Sequence, residues 1–412
     1  MRCSLGSRCC DIGLTAVAAA SIALACVLTG TFGRAQAQPA QIEAPEPKPA
    51  HALDLKTRVA LYRKQLAEYE KARRAYERVA APYWRSITAT RTKRRRKRAK
   101  GHRITLEDYV LAQPPLYTGP PEPRDPEAEH KPRPIPVVAD FLLQAKAHFG
   151  FVPQGPESEI DFKRAYAKVA AAAGLTKRAC VKIYGFEATG DGKYDIQAGL
   201  EYGRPGERVI STALGYNQLL ATNSIGLVAA NGDTFLAVLR KKAKSASGAR
   251  KAALQEKIAA LSKMIRFTRS VRNDWYAHGR LAKTPKGVGV HALNLDIDIG
   301  PLLQTQKLLD SVEFAKRNGY KAPLSAAELE MMNLTGDGNG IDMVLMPQAM
   351  REKVPTSNFF QQHGYERNPV AIRNNTVAKL IAATDAKMEH EARLPGAQDL
   401  AAAFDAVARA GQ

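Results

Sequence analysis

Apolar positions recur along this chain mostly at spacings of three and four, the mark of helices with one buried face. The clearest run is Leu55 to Val79. There Leu55, Tyr62, Tyr69 and Tyr76 repeat every seven residues, and Val59 and Leu66 follow four later. This heptad stripe predicts an amphipathic helix, which either packs on its own domain or pairs two copies as a short coiled-coil homodimer. Helices are also expected over Phe162 to Ala173, ending at Gly174, and over Lys177 to Glu187. Others are expected at Leu214 to Leu220, Thr234 to Lys241, Ala249 to Tyr276 and Pro301 to Arg317, then at Ala326 to Asn333 and Thr376 to His390. Period-two alternation occurs at Tyr194 to Glu201 and Arg208 to Leu214, which read as a small hairpin around the turn Tyr202 to Gly206. The fold class is therefore mostly α with one β-hairpin.

The amino-terminal pattern is different. Arg2 and Arg8 precede an apolar stretch from Ile12 to Leu28, and Ala35, Gln36 and Ala37 precede Gln38. That order predicts a secretory signal over 1–37, placing the body of the protein in the periplasm or outside the cell. An uncleaved anchor helix and a lipid-modified Cys26 are the alternatives. Cys3, Cys9, Cys10 and Cys26 fall inside the signal, so Cys180 is the one cysteine beyond it. It can form no internal disulfide and is expected to be buried as a small apolar residue. Pro39, Pro45, Pro47 and Pro49 mark an extended linker over 38–53. Nine prolines between 113 and 136 make 104–137 a second extended tether. The helix and a basic run then occupy 54–103, the main domain 138–395 and a tail 396–412.

Composition adds charge. Lys and Arg number 61 against 40 acidic residues, a formal net charge of +21. Removing residues 1–37 takes three Arg and one Asp and leaves about +19. The densest part is Arg91 to Arg103, which has no apolar face and is expected to stay solvated. Export excludes nuclear import and nucleic acid as its role. An anionic envelope surface is the partner that remains, a solubilising tract the bland alternative.

Three short segments carry candidate chemistry. Glu187 ends an apolar helix with Ile183, Tyr184 and Phe186 beside it, and Thr189-Gly190 follows. Apolar walls raise a carboxyl's pKa by penalising its charged form, so Glu187 is a candidate proton donor near neutral pH. In the second segment Gly215 permits close approach, Tyr216 follows it, and Asn217 and Gln218 offer amides suited to acetamido and hydroxyl groups. In the third, Asn333 ends a helix before Gly336. The bland readings are a structural ion pair for Glu187, capping or core hydrogen bonding for Asn217 and Gln218, and a helix stop at Asn333. Gly336 to Asp342 lacks the alternating acids of a calcium loop and reads as a turn. His278, His291 and His363 lack metal-ligand spacing, and no phosphate or dinucleotide loop occurs, so no metal or cofactor is called for. Asn358-Phe359-Phe360 with Tyr365 either lines a groove or closes the domain.

In this order the segments resemble the lytic transglycosylase family, whose catalytic domain is lysozyme-like. Glu187 matches the family's helix-ending Glu, Gly215 and Gln218 its Gly-x-Met-Gln-like segment, and Asn333 with Gly336 its Ala-Tyr-Asn-x-Gly segment. The resemblance covers residues 160–390. It departs where Ala188-Thr189 replaces Ser, where Glu187 and Gly215 stand 28 residues apart, and where Met332 replaces Tyr, for which Tyr184, Tyr216 and Tyr365 are stand-ins. The resemblance implies cleavage of the N-acetylmuramic acid–β-1,4–N-acetylglucosamine bond in peptidoglycan strands. One Glu would act as acid and then base, the substrate N-acetyl group would assist, and a 1,6-anhydro end would form. A carboxylate at Asp191 or Asp195 facing Glu187 across a water would instead favour a lysozyme-like hydrolase. A non-catalytic protein that binds glycan or scaffolds the envelope is the third expectation.

Overall fold

The computed structural model describes residues 54–127, 135–190, 192–198 and 209–410. The signal, the first linker and the hairpin's turn lie outside the described residues. Among the described residues the protein is mostly helical and has no sheet. Where a hairpin was expected there is an isolated antiparallel bridge, Gln197 to Leu214. No described helix is long and apolar enough to cross a membrane.

Helix α1 (Leu55–Ala99) starts on Asp54, whose carboxylate accepts the Thr57 amide N–H at 3.0 Å. It does not stop near Val79 but passes through Pro82 and takes in most of the basic run. Three short helices follow the tether, α2 (Val138–Phe149), α3 (Glu159–Ala172) and α4 (Lys177–Ala188), and after a loop comes the longer α5 (Ala221–Lys244). Then come α6 (Gly248–Thr268), α7 (Trp275–Ala282), α8 (Pro285–His291) and α9 (Gly300–Arg317). The last part holds α10 (Ala326–Thr335), α11 (Asp337–Val344), α12 (Gln348–Arg351), α13 (Gln362–Glu366), α14 (Pro369–Arg373), α15 (Val377–Glu391) and α16 (Pro395–Ala410).

Three large apolar clusters and a small one around Met332 and Ile341 hold these helices. The first joins α2, α5, α6 and α8, with Phe141, Leu239, Leu261 and Leu293 fully covered. The second surrounds α4, nine of whose twelve residues are buried, with α3, α9, α15 and α16. The third packs the carboxyl-terminal half of α1 through Ala80, Trp84 and Ile87 onto Met331, Met343 and Phe359. Cys180 is buried in the second cluster, as expected.

Several expectations are corrected here. The basic run is exposed over most of its length but is not solvated all round. Its buried face continues the spacing of Ala80, Trp84 and Ile87 to Arg91 and Arg94, which are 4% and 0% exposed. Arg94 and Arg98 both pair with Asp342 of α11, and Arg94 stacks over the Tyr109 ring at 4.4 Å. Arg91 donates to the Phe360 carbonyl at 2.7 Å. An Arg stem is apolar and its planar head satisfies carbonyls and a carboxylate together, which is how the run buries a face. The tether is not free either over 104–127. It lies along α1, where the hydroxyls of Tyr83 and Tyr76 donate to the carbonyls of Ala112 and Pro115. Tyr117 meets Tyr69 and Tyr76 edge-on. Tyr69 and Tyr76 of the heptad stripe thus pack on their own chain.

The tail over 396–412 is also corrected. Most of it is α16, which buries Leu400 and Phe404 against α3 and α4. Leu214 to Leu220 is a closed loop rather than a helix, because Gly215 and Gln218 take φ of 83° and 44°. Gly336 to Asp342 is the start of α11, not a turn. Gly340 explains the close approach: a Cβ there would strike the Met332 backbone of α10. The segment Ala249 to Tyr276 is broken between α6 and α7.

The Arg94–Asp342 contact generates a test. Asp342→Asn leaves a buried guanidinium without its counter-charge, and breaking such a pair costs about 3–5 kcal/mol. The urea midpoint should fall accordingly, and a fall no larger than that of an exposed Asp399→Asn control would contradict the assignment.

Candidate functional site

Helix α4 forms because Thr176 caps it, its side chain accepting the Ala179 N–H at 3.2 Å, and because its apolar residues face partners on nearly every side. It ends where Thr189 takes a left-handed φ of 61° and Gly190 follows at 68°. The Thr189 hydroxyl donates to the Ala188 carbonyl at 2.7 Å, so it closes the helix end. Gly185 and Gly190 let α4 come close to the end of α15, where a Cβ would meet the Glu391 backbone. Glu187 is therefore held in the last turn of an enclosed helix and is 8% exposed.

Helix α10 supplies the opposing wall. Ser325 caps it in a reciprocal bond with Glu328, and residues on all sides of it are buried. Asn333 donates its Nδ2–H to Glu187 Oε1 at 2.7 Å. One turn earlier stands Glu330, 0% exposed, with neither oxygen reached by a well-aligned donor. Its carboxyl abuts that of Glu187, and the two bond when one of them is protonated.

Burial raises the Glu187 pKa to about 7, against the lowering effects of the bonds to Glu330 and Asn333 and the charge of Lys307. Burial also pushes Glu330 well above the ordinary carboxylate range, and the neighbouring Glu187 charge adds to it. Two dry carboxyls in contact cannot both ionise cheaply, so the pair retains a proton through neutral pH. Lys307 on α9 is the cation that acts on both, and Asp310 on the same helix also has its pKa raised by burial.

The second sequence segment is brought near α4 but turned to structure. The Tyr216 ring lies 4.5 Å from that of Tyr184, and its hydroxyl donates to Glu159. Asn217 is 2% exposed and donates to the Gln304 carbonyl at 2.8 Å. Gln218 donates to the carbonyls of Gly215 at 2.8 Å and Ile196 at 3.2 Å. Gly215 admits the Gln304 amide rather than open space. The structure thus joins Glu187 and Asn333 directly. Thr189, Gly215, Tyr216, Asn217 and Gln218 shape and brace the surrounding loops.

Of the stand-in tyrosines, Tyr184 donates to the Gly192 carbonyl and Tyr365 is buried against Trp84 in the third cluster. Asn358, Phe359 and Phe360 close that cluster. Asp191 lies outside the described residues. Sequence reasoning missed Glu330 and Lys307. The signal for Glu330 was present, since a lone acid between Leu329 and Met331-Met332 has nowhere polar to go. Among the described residues no three His, Cys, Asp or Glu side chains gather as a metal site.

Comparison with family models, with curated proteins and with solved structures finds no match to this chain.

The raised carboxyls make stability fall with rising pH. A carboxyl whose folded pKa lies above its unfolded value stabilises the fold below about 4.5, and that contribution is lost as pH rises through about 7. Glu330→Gln removes one titrating member and keeps an amide that can donate to Glu187. The wild type should lose on the order of 2 kcal/mol more than this variant between pH 5 and pH 8. Parallel stability–pH curves would show that the two carboxyls do not share a proton.

Proposed function

We propose that the chain is an exported lytic transglycosylase with a lysozyme-like helical domain, cleaving the N-acetylmuramic acid–β-1,4–N-acetylglucosamine bond of peptidoglycan in the periplasm. The observation that carries the reading is Glu187, in the last turn of an enclosed helix, bonded to Asn333 and raised by burial to where a carboxyl still carries a proton in part near neutrality. A proton donor to a glycosidic oxygen needs that protonation state at working pH.

Glu330 separates this reading from the two-acid hydrolases. Those need carboxyls about 5 Å or more apart, both facing the sugar. Glu330 touches Glu187 and is wholly covered, so it serves neither as nucleophile nor as base toward substrate. The reading gives both jobs to one acid. Glu187 protonates the leaving oxygen, while the substrate N-acetyl group covers the cationic carbon. The Glu187 carboxylate then takes the proton of the muramyl 6-hydroxyl, whose oxygen closes the 1,6-anhydro ring. While Glu187 is charged, the Asn333 N–H and the proton retained on Glu330 stabilise it.

The test is mass spectrometry of purified wall after digestion. Wild type should release anhydro-ended fragments, and Glu187→Gln should lower release by about a hundredfold or more at a melting temperature no lower than that of the wild type. Asn333→Ala removes a bond that favours the carboxylate, so the alkaline limb of the pH–rate profile should move up. Reducing ends would identify a hydrolase. Retention on wall with no fragments from the wild type would identify a glycan-binding envelope protein.

A further inference from the structure

Helix α1 has a second face. While Ala80, Trp84, Ile87, Arg91 and Arg94 turn inward, the stripe through Arg85, Thr88, Thr92, Arg96 and Lys100 looks out, at the same three- and four-residue spacing. It borders a cavity of about 950 Å³ that is floored by Trp84, Ile87 and Phe360 and rimmed by Arg85, Arg96, Lys100 and His102. Lys93 and Lys97 also line it, and both pair with Asp108, at 3.0 and 2.7 Å. Among the described residues no acidic side chain lines the groove. Arg85, Arg96 and Lys100 are exposed and have no ion-pair partner among the described residues.

We propose that this groove binds a phosphate-bearing linear polyanion. Three unneutralised cations on one rigid face repel one another until an anion joins them, and Arg and Lys are the side chains that hold phosphate. From Arg85 to Lys100 the helix rises roughly 22 Å, too long for a single phosphate and suited to a strand that runs along the groove. A bilayer fits less well. The surface is concave, and Trp84 and Phe360 are 7% and 1% exposed, so no aromatic side chain stands out to enter lipid. The same burial removes the stacking platforms that single-stranded nucleic acid uses. The groove shares no residue with the Glu187 site, and the proposal stands whether or not that site cleaves sugar.

The probe is end-labelled long-chain inorganic polyphosphate, titrated with the full chain by fluorescence anisotropy at several salt concentrations. The variant Arg85→Gln/Arg96→Gln/Lys100→Gln should bind at least tenfold more weakly with an unchanged melt. Its plot of log affinity against log salt should be shallower by about 2, since each lost contact removes about 0.7. A control with Arg240→Gln, Lys241→Gln and Lys244→Gln, exposed cations on α5, should bind as wild type. Equal weakening in the control would reduce the effect to net charge and overturn the proposal. So would tighter binding of polyglutamate, or of phosphatidylglycerol vesicles, than of polyphosphate.

Discussion

Two carboxyls pressed together in a dry seam are a constraint that every helix around them must respect. Glu187 and Glu330 sit side by side there at low cost only while they hold a proton between them. Helix α10 bears the larger part of that demand. One side of it carries Glu330 and Asn333 to α4, another carries Met331 to the α1 cluster, and Met332 meets α11. A helix covered all round has no freedom to roll, so the amide and the second carboxyl stay in register with Glu187.

The same logic explains the basic residues of α1. A guanidinium at 0% exposure beside Asp342 adds little net stability, because desolvating both charges offsets their attraction. It does fix where α11 lies relative to α1. Since α11 follows α10 after a single glycine, that registration reaches the acid site through two packed helices. The Lys93 and Lys97 pairs with Asp108 hold the extended segment after α1 in the same way. They also keep the Asp108 carboxyl well below its usual range, in spite of its burial.

The mostly helical class was legible, and so were the main helices. The period of apolar residues located α3, α4, α9, α10 and α15 to within a few residues, because each buries a face made of residues with unambiguous preference. The burial of Glu187 was legible from its apolar neighbours, whereas the helix stop expected at Asn333 falls two residues later, at Thr335. What failed were features set by distant partners. The solvated reading of Arg91 to Arg103 is sound for an isolated segment, but Asp342 stands 248 positions from Arg94. The Asn217-Gln218 pair offered amides as a ligand site would, but Gln304 and nearby main-chain carbonyls consume much of that capacity. Pro-rich 104–127 looked free because nothing local shows that three tyrosines of α1 await it.

Helix α16 carries a consequence for how the molecule comes into being. It covers α4, yet about two hundred residues of chain separate the two. At ordinary rates of translation the earlier helix would wait on the order of 10–40 s for its cover. Through that interval the side of α4 that α16 covers is unroofed. The bond from Asn333 to Glu187 likewise spans 146 positions, so the paired acid exists only in a chain long enough to include α10.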